Sequence, residues 1–246
     1  VMSLLLYAYL NYFSPVFYPL AKATVILAGK EATERFFHYP GHFLYLPAVF
    51  GWSKTLVAIL FDGLFLGSAA LLLRQEYLGR GNSTASRDRS LLSSWGHLIL
   101  ASFSFNLLIF AAGFLLPMAL QPILAGYARR SLMFEFIILP AVYSLILAIF
   151  FLVIPRIALY GESFIRALGR SWKSFLKRPL TSFFLAGVIL FVPILIATIA
   201  NHSDIIIAKF YPELVFWILW VGLGADLLAN FLWMGTSVRL LVDSES

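Results

Sequence analysis

The chain contains no cysteine. Disulfides, thiolate metal sites and cysteine nucleophiles are therefore excluded. Charge is also scarce. Asp, Glu, Lys and Arg make up 12% of the 246 residues, against ~25% in ordinary soluble domains. No HExxH, GxSxG, Walker loop or GxGxxG occurs, so the signatures of zinc proteases, serine hydrolases and nucleotide-binding folds are missing. His38 and His42 are four apart, but Pro40 and Gly41 between them break the helix a zinc pair needs. No metal site and no cofactor are expected. Glu31, Glu34, Glu135, Asp204 and Glu213 read as solvated loop charges that nothing in the sequence converges. Alternating ten-residue strands are absent too, which argues against a transmembrane barrel.

What fills the chain is apolar. Hydrophobic residues account for 61%, with 24 Phe and 6 Trp, more than a soluble domain of this size can hide. The expected class is an all-α polytopic integral membrane protein. Apolar runs at 4–28, 44–73, 96–118, 132–158, 180–200 and 214–238 predict about six spans in a single transmembrane domain. The first is interrupted by Asn11, Ser14, Pro15 and Lys22 and reads as kinked or partly interfacial. The opening VMSLLLYAYL has no basic n-region or small-residue cleavage site and does not read as a cleaved signal peptide. Residues 74–90 and 119–131 read as loops.

Net charge is +6, which in this class reports loops facing an anionic leaflet and requires no nucleic acid. Eleven Lys and Arg fall on one side: Arg74, Arg80, Arg87 and Arg89, six between 155 and 179, and Arg239. Six fall on the other: Lys30, Arg35, Lys54, Arg129, Arg130 and Lys209. The richer side is expected to be cytoplasmic. With six spans both termini then lie inside.

The most charged stretch is GESFIRALGRSWKSFLKRP, residues 161–179. At 100° per residue, with Arg166 at zero, Arg170 lies at about 40°, Lys173 at about 340° and Lys177 at about 20°. Ile165, Leu168, Trp172, Phe175 and Leu176 fall between about 180° and 280°. This predicts an amphipathic helix over 161–178 on the cytoplasmic face, in the membrane plane. Trp172 suits the interface, Ser163 is positioned as its cap, and Pro179 ends it. Arg166, Arg170, Trp172, Lys173, Lys177 and Arg178 are the candidate contacts. Their occupant is either the ordinary anionic leaflet or a specific anionic lipid or acidic partner. Residues 90–117 and 163–193 each carry a Ser-led start, a Trp (Trp95, Trp172), an apolar span and a closing Pro (Pro117, Pro193). They read as a candidate parallel internal repeat.

Two carboxylates interrupt apolar runs, Asp62 in LVAILFDGLFLGSAALLL and Asp226 in ILWVGLGADLLANFLW. A charge at such a depth costs at least ~2.5–3.5 kcal/mol, so each is expected to face the bundle interior, protonated or paired. Asn106, Asn230 and Gln121 are candidate partners. The two acids form either a proton or cation relay, or hydrogen-bonded glue between helices. Gly63 and Gly67 make a GxxxG beside Asp62, a site for close helix approach.

Ala167, Leu168, Ser171 and Trp172 form an AL..SW segment preceding a span. SLLSSWGH at 90–97 is a fainter copy. On these residues the chain resembles the membrane domain joined to some glycerophosphodiester phosphodiesterases, and its stand-alone bacterial relatives of unassigned function. The resemblance covers about 44–240. It implies a six-helix bundle in the bacterial cytoplasmic membrane and brings no phosphodiesterase activity, because the soluble catalytic domain has no counterpart here. Three functional readings remain. One is a non-catalytic scaffold, assembly factor or accessory subunit of a membrane complex, with lipids and other membrane subunits as partners. The alternative is a transporter or lipid-handling protein using Asp62 and Asp226. An intramembrane enzyme lacks a recognisable constellation.

Overall fold

The computed structural model describes residues 1–27, 29–77, 84–124 and 126–243, with the side chains of 84–92 and 128 outside the description. Among the described residues the chain forms ten helices and no strand. In order they are α1 (Met2–Leu10), α2 (Tyr18–Ile26), α3 (Lys30–Phe36), α4 (Gly41–Tyr77), α5 (Thr84–Leu124), α6 (Arg129–Tyr160), α7 (Phe164–Lys177), α8 (Pro179–Asn201), α9 (Ser203–Lys209) and α10 (Leu214–Asp243). Five of them, α4, α5, α6, α8 and α10, are long and apolar enough to cross a membrane. The protein is an all-α, multi-pass membrane protein.

The expected first span is replaced by two short helices. Each of α1 and α2 has nine residues, about 13 Å at 1.5 Å per residue, less than half of the ~30 Å hydrocarbon core. The cause is local. The Asn11 side chain donates back to the Tyr7 carbonyl at 3.0 Å, the chain turns around Ser14, and Pro19 sits in the first turn of α2, where a missing N–H costs nothing. The loops expected at 74–90 and 119–131 are shorter than the sequence suggests. α4 runs on to Tyr77, and α5 begins at Thr84 and continues through Pro117 and Pro122. Proline is tolerated in membrane helices, so Pro117 does not end this one. Arg80 lies outside the described residues, as do the side chains of Arg87 and Arg89. The candidate repeat runs differently in its two copies. Trp95 lies within the unbroken α5, whereas Trp172 lies on α7, separated from α8 at Arg178.

The chain divides into two compact units, Val1–Val57 with Val192–Leu228, and Ala58–Phe191 with Ala229–Ser246. In the first unit, α1, α2 and α3 pack on the Gly41–Val57 part of α4. Leu6, Tyr9, Val25, Phe36 and Leu46 are fully buried there. The Ser203 hydroxyl on α9 donates to the Leu44 carbonyl at 3.1 Å, tying α9 to α4.

In the second unit the Gly63–Tyr77 part of α4 packs on α5 and on the Val153–Tyr160 part of α6, around Leu98, Leu147, Val153, Ile157 and Met234. Gly63 permits the α4–α5 contact. A Cβ there would lie 2.7 Å from the Leu98 carbonyl oxygen, inside any van der Waals distance, so only a residue without one fits. α6 is broken at Phe151–Leu152. Pro155 has no N–H to give the Phe151 carbonyl four residues back, and the Trp233 indole donates to that carbonyl instead, at 2.9 Å. Ser171 bridges the same break: its hydroxyl accepts from the Leu152 N–H at 3.3 Å and donates to the Ile149 carbonyl at 2.6 Å. Groups that helix geometry leaves unpaired are thus met by side chains from α7 and α10, as a low-dielectric interior demands.

Candidate functional site

The first unit holds a charged pair inside its spans. Lys54 stands 13 residues after Gly41 in α4, and Asp226 stands 12 after Leu214 in α10. At 1.5 Å per residue each is about 18–20 Å along its helix from the start, well inside the apolar run. The Lys54 ammonium donates to Asp226 Oδ2. The Asp226 side chain is 26% exposed and that of Lys54 43%. The pair is therefore not sealed in the core but borders an open cleft.

That cleft has a volume of about 130 Å³. α4 contributes Pro47, Phe50 and Gly51; α8 contributes Pro193, Ala197 and Asn201; α10 contributes Leu219 and Gly222. Small residues make the room: a Cβ on Gly222 would meet Ile196 Cγ2 at 3.3 Å. The volume decides what fits. Pockets for drug-sized ligands run ~300–1,000 Å³, whereas one water takes ~30 Å³. The cleft has room for several waters, an ion or a small polar head group. In the same unit, the Tyr9 and Ser53 hydroxyls are hydrogen-bonded at 2.5 Å, and burial holds the Tyr9 hydroxyl above the usual tyrosine range.

Asp226 was legible as an anomaly, but its partner was not. The expected partners lie elsewhere. Asn106 donates to the Ser102 carbonyl of its own helix at 2.8 Å, Gln121 is exposed, and Asn230 is half-buried in the second unit. Lys54, counted by sequence among charges of the outer face, is instead the partner. The span expected from residue 44 already encloses Lys54, and the helix begins 13 residues before it, at Gly41. Asp62 belongs to the second unit, half-buried at the end of a π-helical turn, Ala58–Asp62. The two carboxylates thus fall in different units, and the ion pair recorded for Asp226 is with Lys54.

In the second unit the amphipathic helix forms as α7, Phe164–Lys177, with Arg178 closing it and Pro179 opening α8. Ser163 occupies the N-cap position without a side-chain capping bond. The single apolar face expected from sequence divides in two. Ala167 and Ser171 are buried, and Phe164, Leu168 and Phe175 pack on the core. Ile165, Trp172 and Leu176, about 60–100° further round, are exposed. Arg166, Lys173, Lys177 and Arg178 are exposed on the third side. Arg170 is exposed as well, its side chain at 56%, but it is ion-paired. It donates to Glu162, a carboxylate only 6% exposed, and Arg156 approaches the same oxygen at 3.7 Å. Glu162 was not singled out in the sequence. Its role could have been suspected from its place directly before the helix, between Arg156 and Arg170.

Among the described residues no three of His, Asp and Glu converge in a way that could hold a metal. No protein-family model, no curated protein and no solved structure matches this chain.

Proposed function

We propose that the protein handles a small polar or charged ligand within the bilayer, as a transporter or lipid-handling protein, with Lys54 and Asp226 lining the site. The observation that carries this reading is the ion pair on the wall of a cleft between the apolar helices α4, α8 and α10. Lone charges at the centre of a span cost ~2.5–3.5 kcal/mol each even on the mildest scales, and ionisable residues inside spans mark ligand and ion paths by default. A pair serving packing alone does not require an open cleft beside it. We assign no catalytic role.

The absence of native cysteine makes the test direct. Gly51→Cys and Ala197→Cys, both on the cleft wall, should react with a charged, membrane-impermeant thiol reagent. Val221→Cys, on an exposed face of α10, should not. Cleft cysteines as inert as Val221→Cys would mean a dry, packed interior and would sink the proposal. A second reading, an accessory subunit or scaffold, is supported by the small share of the spans that the chain itself buries, from 17% of the apolar window of α8 to 39% of that of α6. Stoichiometric co-purification of another membrane protein is the result that would favour it.

For orientation we assign the bacterial cytoplasmic membrane, with α7 and the C-terminal end of α10 on the cytoplasmic side by the excess of Lys and Arg there. Five spans rather than six then carry Val1 to the opposite face.

A further inference from the structure

We infer that α7 is a binding site for anionic phospholipid, held at head-group depth by the fold. The three sides of the helix have separate tasks. One is fixed to the protein, through Ala167 and the Ser171 hydroxyl that bridges the break in α6. The second is apolar and open: Ile165 is 80% exposed, and Trp172 and Leu176 are exposed with it. The third carries Arg166, Lys173 and Lys177 along one line. By sequence position Lys173 is about 10 Å and Lys177 about 16 Å along the axis from Arg166. Arg178 extends the row. None of these four has an acidic partner among the described residues, while Arg170, one turn after Arg166, is drawn inward by Glu162.

The side-by-side arrangement selects the occupant. An acidic protein would complement the basic row but leave Ile165 and Leu176 in water. A bilayer surface matches both at once, phosphates against the basic row and acyl chains against the apolar one. The apolar side also continues into the first turns of α8, where Leu180 and Phe184 are exposed. Arg170 and Glu162 position the helix and do not read lipid.

The test uses the full chain in nanodiscs of phosphatidylcholine alone or with phosphatidylglycerol. The wild-type protein should unfold at higher temperature as the phosphatidylglycerol fraction rises, and should retain phosphatidylglycerol over phosphatidylcholine in native mass spectrometry. The triple variant Arg166→Gln, Lys173→Gln, Lys177→Gln should lose that preference by about ten- to a hundredfold, from the free energy of a basic residue near an anionic surface. It should unfold like wild type in phosphatidylcholine alone. Arg170→Gln should unfold earlier in both lipids by the same interval and keep the preference. Salt at 1 M, where screening acts within ~3 Å, should remove the wild-type preference. Equal retention of both lipids by the wild-type chain would overturn the inference, and so would a triple variant that still prefers phosphatidylglycerol.

Discussion

Lys54 and Asp226 are separated by 172 positions in sequence, and that distance is why only half of the site was readable. An acid in an apolar run declares itself by its cost; which cation answers it is decided by how three helices pack. Removing one partner should therefore be worse than removing both. Asp226→Asn leaves the Lys54 ammonium uncompensated, and a loss of about 1–3 kcal/mol is expected, below the usual cost for a fully buried pair because both side chains keep some exposure. The double variant Lys54→Met, Asp226→Leu should recover most of that stability while abolishing any ligand-dependent stabilisation. Thermal unfolding in detergent reads the order. The same logic applies at the break in α6. Trp233→Phe strands the Phe151 carbonyl and should cost about 1–3 kcal/mol. Adding Pro155→Ala supplies a backbone N–H to that carbonyl and should restore part of the loss. If the double variant is no more stable than Trp233→Phe alone, the indole bond is not what holds the break.

At the scale of elements, periodicity did most of the work. The 100° rule located α7 to within three residues at its start and one at its end, because its charges and apolar residues alternate at a helical period. It could not tell which apolar residues face protein and which face lipid, since both environments favour the same side chains. Thus Leu168 and Leu176 looked alike in sequence and differ in the fold. Span lengths were less legible. Pro117 reads as a stop and is passed over, while Asn11, Ser14 and Pro15 read as a kink and instead end a helix. The GxxxG signal was informative at Gly63, where backbone approaches backbone. Gly63→Ala should push α4 and α5 apart, at about 1–3 kcal/mol, and amide exchange should rise along Leu98–Ser102. Unchanged exchange there would mean that the contact relaxes without cost.

For the whole molecule, composition alone settled the class, and the charge asymmetry predicts an orientation that sided labelling can check. Glu34→Cys on α3 should react with an impermeant reagent from outside intact cells, and Ser174→Cys on α7 only after the membrane is opened. The reverse pattern would invert the orientation. Within that frame the ion pair has an electrical consequence. Moving one elementary charge through the membrane potential is worth about 2.3 kcal/mol per 100 mV. Lys54 and Asp226 together carry none, so a motion that shifts them as a unit does no electrical work. Voltage acts on the cleft only when the two charges separate, or when a ligand brings a charge of its own. A resting membrane therefore leaves the closed pair alone, and a transport cycle built on it would be voltage-sensitive at the step that opens the pair.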